Sequence, residues 1–339
     1  MKLERGTSDN PVDERFHSVD FLRGMASLGV CYLHLTASLP ASWLRASGSY
    51  GRLGVEIFFV ISGFIIPYSL YKGGYRLRDY GIFVLKRMIR LDPPYLVAIA
   101  IIIPLGYLCA AIPGFRGPPY HVTTQQVLLH FAYLNAFFNG NWVSPVFWTL
   151  AIEFQYYLLV GLLFPLLCYR NPLVRYFLFA GLAGLAVAFS SKHYEPYVFH
   201  WLFLFTLGMS AFLWFKKLVT AWEYWMLSLI FFGGADYSLG PLIAATGLLT
   251  GFVILFVKSN SKVMLLLGNI SYSLYLIHNP TGVKVVNLGI RFTASWGGYL
   301  ALLIAGLGTS IAAAYLLYYF VEKPARKWSS AISYKRNAS

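Results

Sequence analysis

The apolar residues of this chain fall into long runs rather than into the short alternations of a soluble protein. Crossing the hydrocarbon core of a bilayer takes about 20 mostly apolar residues. Ten runs approach that length: 19–40, 53–70, 93–112, 147–169, 176–190, 197–215, 219–234, 239–257, 263–281 and 298–321. The seventh run is short and is interrupted by Gly233 and Gly234. The pattern predicts an all-α integral membrane protein, a polytopic bundle of about ten transmembrane helices.

The basic residues between these runs are distributed unequally. If the N-terminus lies in the cytoplasm, the outer segments hold only six of the 27 Lys and Arg residues: Arg45, Arg52, Arg116, Lys192, Lys284 and Arg291. An excess of basic residues in alternate segments marks the cytoplasmic side. We therefore predict a cytoplasmic N-terminal tail at 1–18, a transmembrane domain at 19–321 and a basic cytoplasmic C-terminal tail at 322–339.

Composition agrees with a multi-pass protein of a cell membrane. The chain is 58% hydrophobic and 12% charged, with a mean hydropathy of +0.60. We attribute its net charge of +14 to topology and contact with anionic lipids, and we expect no nucleic-acid partner. Cys31, Cys109 and Cys168 all lie in apolar runs, so we expect small buried hydrophobic residues and neither disulfides nor a metal site.

The longest outer segment, 113–146, begins with the turn-rich sequence PGFRGPP and continues as QQVLLHFAYLNAFF. The apolar residues of its second part recur at helical spacing. We therefore predict a helix that lies in the membrane interface before the fourth run begins.

The first apolar run carries two ionisable residues, Arg23 and His34. Eleven residues are close to three helical turns, so both side chains point the same way, about 16 Å apart along the axis. Arg23 lies near enough to the end of the run to reach the membrane surface. His34 lies deeper. Ionisable groups at such depth suggest function, although a buried histidine that hydrogen-bonds a neighbouring helix is the alternative.

Three further titratable residues are predicted at the depth of His34. Glu56 opens the second run, Glu153 lies about two turns into the fourth, and His278 lies near the outer end of the ninth. Carboxylates at this depth could orient His34 and stabilise its protonated form, as a general base requires. Alternatively, each residue only ties helices together or caps the interface.

A pair of arginines marks the predicted cytoplasmic side. Arg87 and Arg90 lie one turn apart in a predicted loop just before Pro93. Two guanidinium groups that face one anion suit a phosphate, because arginine donates bidentate hydrogen bonds. Ordinary positive-inside charge explains the same pair equally well.

Several of these motifs together resemble the acyltransferase-3 family of membrane O-acyltransferases. They are RGMASLGVCYLH, GVEIFFVISGFII, KRMIRLDPPYL, NWVSPVFWTLAIEFQYYL, SYSLYLIH and FVEKPARK, in this order over about residues 14–328. The family's Arg-x10-His signature falls on Arg23 and His34, and its Arg-x-x-Arg signature on Arg87 and Arg90. Its Trp-Thr-Leu-x-x-Glu element falls on residues 148–153. Asp92, at a position that is usually uncharged in the family, departs from the pattern and would weaken phosphate binding there.

The resemblance implies transfer of an acyl group, often acetyl, from cytoplasmic acyl-coenzyme A to a hydroxyl of a carbohydrate or lipid-linked glycan. Acyl-coenzyme A is then a co-substrate, and no permanently bound cofactor is expected. Its phosphates would rest on Arg87 and Arg90, with Arg23 as a second anion contact, while His34 takes the proton of the acceptor hydroxyl. An acyl-histidine intermediate remains an alternative. Candidates for stabilising the oxyanion are Ser62, Trp148 and Tyr272.

Two other classes of function fit intramembrane charge. In a transporter, the same ionisable residues would form a proton or substrate path, although the sequence shows no inverted repeat. In a polysaccharide-export helper, they would serve assembly without acyl transfer. Release of free thiol from acetyl-coenzyme A separates the enzyme from both alternatives.

Overall fold

A computed structural model of the chain describes residues 16–112, 120–138, 140–259 and 261–334. Regular structure in these four ranges is helical, and none of them contains a strand. The α-helices are α1 (His17–Thr36), α2 (Trp43–Gly48), α3 (Leu53–Lys72), α4 (Tyr80–Ala111), α5 (Thr124–His130), α6 (Phe147–Leu167), α7 (Pro172–Ala188), α8 (Leu202–Phe215), α9 (Ala221–Leu239), α10 (Pro241–Phe256), α11 (Lys262–Ile277), α12 (Lys284–Gly289), α13 (Trp296–Leu317) and α14 (Lys323–Ala331). Short π-helical turns follow α11 (Asn279–Val283) and α13 (Tyr318–Glu322).

Each of the ten predicted runs coincides with one of these helices. By length and composition, five helical segments of the described chain are able to cross a membrane: Trp43–Lys72, Leu77–Ala111, Phe147–Leu167, Val198–Phe215 and Trp296–Ala331. Three further apolar helices, α7, α10 and α11, are shorter. The prediction of an all-helical membrane protein is confirmed at this level. The count of ten crossings and the cytoplasmic termini stay predictions, and the tail residues 1–15 and 335–339 lie outside the described chain.

The predicted break at Gly233-Gly234 is wrong, because α9 runs through it to Leu239. A helix inside a membrane keeps its backbone hydrogen bonds satisfied, so interruption there is costly. Gly234 instead allows two helices to pack closely. A Cβ at position 234 would lie 2.3 Å from the Phe203 ring, and the absence of a side chain lets α9 approach α8.

Two predicted loops also differ from the structure. The segment before Pro93 is helical from Tyr80, so Arg87 and Arg90 stand on α4 rather than in a loop. Among the described residues of 113–146, the predicted helix is present only as the seven-residue α5, after which the chain turns through residue 138. Its position in the membrane interface stays a prediction. The sequence PGFRGPP (113–119) lies outside the described residues.

Helix α1 packs closely along α11, and small residues make the approach possible. A Cβ on Gly268 would lie 2.3 Å from the Asp20 carbonyl oxygen. Small residues at such a crossing let two backbones come together in a membrane, where packing drives association. The packing brings both polar positions of α1 against the same neighbour. Arg23 Nε donates to Ser271 Oγ at 3.2 Å, and the His34 ring lies 5.2 Å from that of His278.

Two hydrophobic clusters make up the core. One joins α3 and α6 to the helices α7–α10, and the other joins α1, α4, α6, α11 and α13. Side chains of α3, α4, α6 and α11 also line a large cavity between them. The three cysteines are free thiols.

Candidate active site

The large cavity has a volume of about 1230 Å³, above the roughly 300–1,000 Å³ of most small-molecule sites. Its walls come from α1, α3, α4, α6, α11 and the segment that follows α13. Six of the residues predicted from the sequence line it: Arg23, Ser62, Arg87, Arg90, Glu153 and Tyr272. The structure therefore brings together residues that are up to 249 positions apart in the chain.

The cavity carries a strong excess of positive charge. Its lining includes six basic residues, Arg23, Lys72, Lys86, Arg87, Arg90 and Arg326, and two acidic ones, Glu153 and Glu322. Most of the basic residues cluster where α4 meets α14, which we call the basic end. Partly buried cations that outnumber their counter-ions attract an anionic ligand.

The two arginines on α4 differ in their hydrogen-bond partners. Arg87 is buried and donates from Nη2 to Ser69 Oγ at 3.1 Å, while its Nε has no partner. Arg90 makes no hydrogen bond or ion pair with any described residue, yet it lines the cavity. Guanidinium donors without protein partners are available to a ligand, and phosphate oxygens match their geometry.

Asp92, the residue that departs from the family pattern, is hydrogen-bonded to Tyr133 and not to the arginine pair, and its effect on phosphate binding stays a prediction. Its Oδ1 accepts a hydrogen bond of 2.8 Å from the Tyr133 hydroxyl, and Asp92 is not part of the cavity wall. The neighbouring carbonyl of Leu91 accepts from the Tyr272 hydroxyl at 3.0 Å, which ties α4 to α11. The acid is therefore used to hold the outer segment onto α4.

A second network at the basic end was not predicted. Glu322 is almost fully buried and accepts from Ser273 N at 3.2 Å and from Ser273 Oγ at 2.5 Å. Arg326, one turn later, forms an ion pair with it and also donates to the carbonyl of Asn269 at 2.9 Å. The sequence did contain an indication, since Glu322 directly follows an apolar run and has an arginine four residues on.

Glu153 is fixed by neighbours other than His34. Its Oε1 accepts from Ser62 Oγ at 2.8 Å and from the Tyr157 hydroxyl at 2.5 Å. Ser62 lies six residues after Glu56 on α3, or about 9 Å along the axis, so the two carboxylates do not share one depth. No carboxylate hydrogen-bonds His34 within the described residues, which differs from the predicted orientation of this imidazole.

The neighbour of His34 is a second histidine. The ring centroids of His34 and His278 are 5.2 Å apart. His278 is fully buried, and its Nδ1 lies 2.9 Å from the carbonyl oxygen of Leu274. Nδ1 must carry the proton to donate to that carbonyl, so in neutral His278 the lone pair lies on Nε2. This Nε2 is buried and has no hydrogen-bond partner in the part of the chain that the structure describes.

Tyr275 connects the cavity with the histidine pair. Its ring lies 6.2 Å from that of His278, and its hydroxyl contacts Thr149 Oγ1 at 2.6 Å and the Val146 carbonyl at 3.2 Å. Tyr275 and Thr149 both line the cavity. The cavity therefore runs from the basic end to Tyr275, whose ring neighbours that of His278, and neither imidazole lines it.

Two predicted site residues lie apart from this arrangement. Glu56 is 5% exposed, lies outside the cavity wall, and its Oε2 has no hydrogen-bond partner among the described residues. Trp148 packs against Trp201 with ring centroids 5.9 Å apart, also away from the cavity wall. Of the three candidate oxyanion donors, Ser62 and Tyr272 thus face the cavity and Trp148 does not.

Known proteins resemble the chain over nearly its whole length. ORF330 of Acidianus two-tailed virus, named as a candidate acetyltransferase, is 28% identical over 85% of this chain and 90% of ORF330. Nodulation protein 10 of Rhizobium leguminosarum bv. viciae is 24% identical over 98% and 99% of the two chains. The O-acetyltransferase OatA of Staphylococcus aureus is 28% identical over 91% of this chain, which aligns with 57% of OatA.

No solved structure matches the chain. The family model described as an acyltransferase domain matches residues 16–319, a range that holds every predicted site residue. The protein is therefore an acyltransferase and belongs to the acyltransferase-3 family.

Proposed function

We propose that this acyltransferase moves an acetyl group from acetyl-coenzyme A to a hydroxyl of a carbohydrate or lipid-linked glycan. One observation supports the donor above all: a cation-rich cavity leads from the basic end to Tyr275, which neighbours His278, and the ring of His278 neighbours that of His34. Acetyl-coenzyme A matches this cavity, because its phosphates would face the basic end and its long thioester arm would lie along the less polar part of the wall. The name of OatA, an O-acetyltransferase, supports acetyl as the group transferred.

The donor would enter from the basic end, which we assign to the cytoplasm of a bacterial cell. Arg87 and Arg90 would hold its phosphates, because Arg90 and Nε of Arg87 have no partner in the described chain. Arg23 would add a contact deeper in the cavity. From Arg23 to His34 is about 16 Å along α1, a distance that an extended pantetheine arm spans.

The chemistry would proceed by general-base catalysis at His34. The imidazole takes the proton from the acceptor hydroxyl, and that oxygen attacks the acetyl carbonyl carbon. The carbon–sulfur bond then breaks, and the leaving thiolate receives the proton from the imidazolium. The products are an acetyl ester and free coenzyme A. In the acyl-histidine alternative, His34 itself attacks the carbonyl carbon and the acceptor oxygen displaces it in a second step.

His278 would act as a positioning residue for His34. Its Nδ1 proton is committed to the Leu274 carbonyl, so its Nε2 can only accept while the ring is neutral. An N–H or water beside His34 is a suitable donor to that atom. The backbone of α11 would in this way set which nitrogen of His34 faces the acceptor.

The test is release of free thiol by the purified full-length protein from acetyl-coenzyme A, with and without added glycans as acceptors. The proposal predicts acceptor-dependent thiol release and one new acetyl ester on the glycan by mass spectrometry. A transporter would move a labelled substrate into proteoliposomes without thiol release. Thiol release that no carbohydrate or glycolipid stimulates would contradict the proposed acceptor.

A further inference from the structure

A second, smaller cavity opens at the end of the bundle opposite the basic end. It has a volume of about 190 Å³ and lies between α4, the stretch 143–145 and the turn that begins α12. Tyr120 closes one side. A Cβ on Gly106 would lie 2.3 Å from the Tyr120 Cζ, so glycine at this position lets the phenol ring lie flat against α4.

The small cavity contains four buried polar atoms that have no hydrogen-bond partner in the described chain. They are the hydroxyl of Tyr120, Oγ of Ser144, Nδ2 of Asn279 and Oδ1 of Asn287. Native proteins satisfy nearly all such atoms, so a cluster of four calls for a ligand or ordered water. The cluster includes a donor, an acceptor and two hydroxyls that serve as either.

The chemistry of the lining selects one class of ligand. Among the described residues of its wall, the only charged one is Lys284, whose side chain is exposed, and none is acidic. Apolar side chains of α4, such as Ile102 and Leu105, form another part of the surface. Neutral donors and acceptors beside an apolar wall complement a sugar ring, which has hydroxyls at its edge and C–H groups on its face. The volume of about 190 Å³ lies below the roughly 300–1,000 Å³ of most small-molecule sites, so it has room for one ring at most and not for an oligosaccharide.

The backbone places this cluster directly beside the proposed reaction centre. Asn279 follows His278 and begins a π-helical turn, in which Val283 N donates to the His278 carbonyl at 3.1 Å. Single π-turns inside helices occur frequently at functional sites. The turn packs closely against α13, since a Cβ on Gly282 would lie 2.1 Å from the Gly306 carbonyl oxygen.

Only a thin wall separates the two cavities. Ser144 and Pro145 line the small one. The next residue, Val146, accepts hydrogen bonds at its carbonyl from Thr149 and Tyr275, which line the large one. The small cavity therefore lies on the other side of residues 144–146 from the large one, and Asn279 connects its wall through the backbone to His278.

We propose that the small cavity is the acceptor subsite and binds one sugar ring through Asn279, Asn287, Ser144 and Tyr120. The assignment rests on the proposed function, because it names the part of the enzyme that recognises the acceptor. Asn287 and Ser144 are specificity residues here, and His34 remains the base.

The experiment measures binding separately from turnover. Full-length protein in detergent is labelled with photoreactive diazirine derivatives of methyl glucoside, methyl galactoside and methyl N-acetylglucosaminide, and crosslinked peptides are mapped by mass spectrometry. Asn287→Leu and the smaller change Ser144→Ala remove polar atoms of the cavity. Gln125→Leu is the matched control, since Gln125 is exposed and lies outside the cavity wall.

The subsite predicts that at least one glycoside labels residues 279–287 or 143–145, and that excess unmodified glycoside competes. Half-saturation should rise about tenfold in Asn287→Leu and severalfold in Ser144→Ala, but stay unchanged in Gln125→Leu. Labelling without thiol release would support the subsite while the proposed function fails. Thiol release without labelling of either segment, equal labelling by a diazirine-bearing alkyl alcohol, or labelling that both variants retain would overturn the subsite.

Discussion

Replacing Arg90 by Gln should weaken donor binding without destabilising the protein. The two effects together distinguish a ligand-binding arginine from a structural one. Arg90 makes no hydrogen bond or ion pair in the described chain, and it shares a cavity with Arg87 and Arg326. The substitution therefore breaks no hydrogen bond or ion pair among the described residues and removes one of several like charges. A charge-assisted hydrogen bond to phosphate contributes about 1.5–3 kcal/mol. Its loss should raise the KM for acetyl-coenzyme A roughly ten- to a hundredfold.

The assay is thiol release at varied acetyl-coenzyme A, together with thermal unfolding of the ligand-free protein in detergent. We expect a higher KM and a thermal midpoint that is unchanged or raised. Arg78→Gln is the matched control, because Arg78 is exposed near the basic end but lies outside the cavity wall, and its KM should stay at the wild-type value. An unchanged KM with a lowered midpoint in Arg90→Gln would refute the reasoning and make Arg90 a structural residue.

Three further predictions concern groups with well-defined partners. Arg326→Leu should lower the free energy of unfolding by about 2 kcal/mol or more, because it leaves the buried Glu322 carboxylate without its guanidinium partner. Denaturant titration measures this free energy, and an unchanged value would show that the hydrogen bonds from Ser273 are enough to stabilise the carboxylate. Tyr157→Phe removes one of two hydrogen-bond donors to Glu153 and should lower the free energy of unfolding by about 1 kcal/mol with little change in kcat, because Glu153 makes no hydrogen bond to His34; a large loss of kcat would instead place Glu153 in the chemistry. Burial lowers the pKa of His130 below its usual value, so its neutral form stabilises the fold and stability should fall as the pH drops below about 6.5. Comparing thermal midpoints at pH 7.5 and 5.5 in wild type and His130→Gln tests this, since an equal fall in both would exclude His130.

The hydrogen bonds of His130 explain why protonation of this residue should lower stability. Nε2 accepts from the backbone N–H of Val143 at 3.2 Å, and Nδ1 lies 2.7 Å from the carbonyl oxygen of Gln126. Only the neutral ring with its proton on Nδ1 satisfies both contacts. Protonation of Nε2 at low pH breaks the contact with Val143, whereas Gln at this position keeps a donor and an acceptor and does not titrate.

The positions of the helices were predictable because each one needs a long apolar run, and such runs are visible in sequence. Their interruptions were harder to predict. Gly233-Gly234 resembles a break, but a membrane penalises unpaired backbone groups more than it penalises glycine. Likewise, charge and two prolines at Pro93-Pro94 resemble a loop, yet α4 passes through them. The composition of a segment is a weak guide to its helicity where tertiary packing decides the conformation.

Much of the site was also predictable, but its pairings were not. The spacing of Arg23 and His34 put both on one face of α1, and both do contact α11. The bond from Tyr157 to Glu153 follows from a separation of four residues on one helix. The bond from Ser62, and the choice of His278 rather than a carboxylate as neighbour of His34, depend on how separate helices pack. The way in which separate helices align against one another cannot be read from a single sequence.

The most direct test of the central claim is thiol release by His34→Gln in the presence of saturating acetyl-coenzyme A and acceptor. Gln keeps hydrogen bonding and much of the shape of histidine but cannot accept and return a proton. A general base contributes about a hundred- to ten-thousandfold, so transfer should fall by at least a hundredfold while donor binding persists. His17→Gln, an exposed position at the start of α1, should retain full activity. Transfer near the wild-type rate in His34→Gln would contradict the account and make His34 a structural contact of His278.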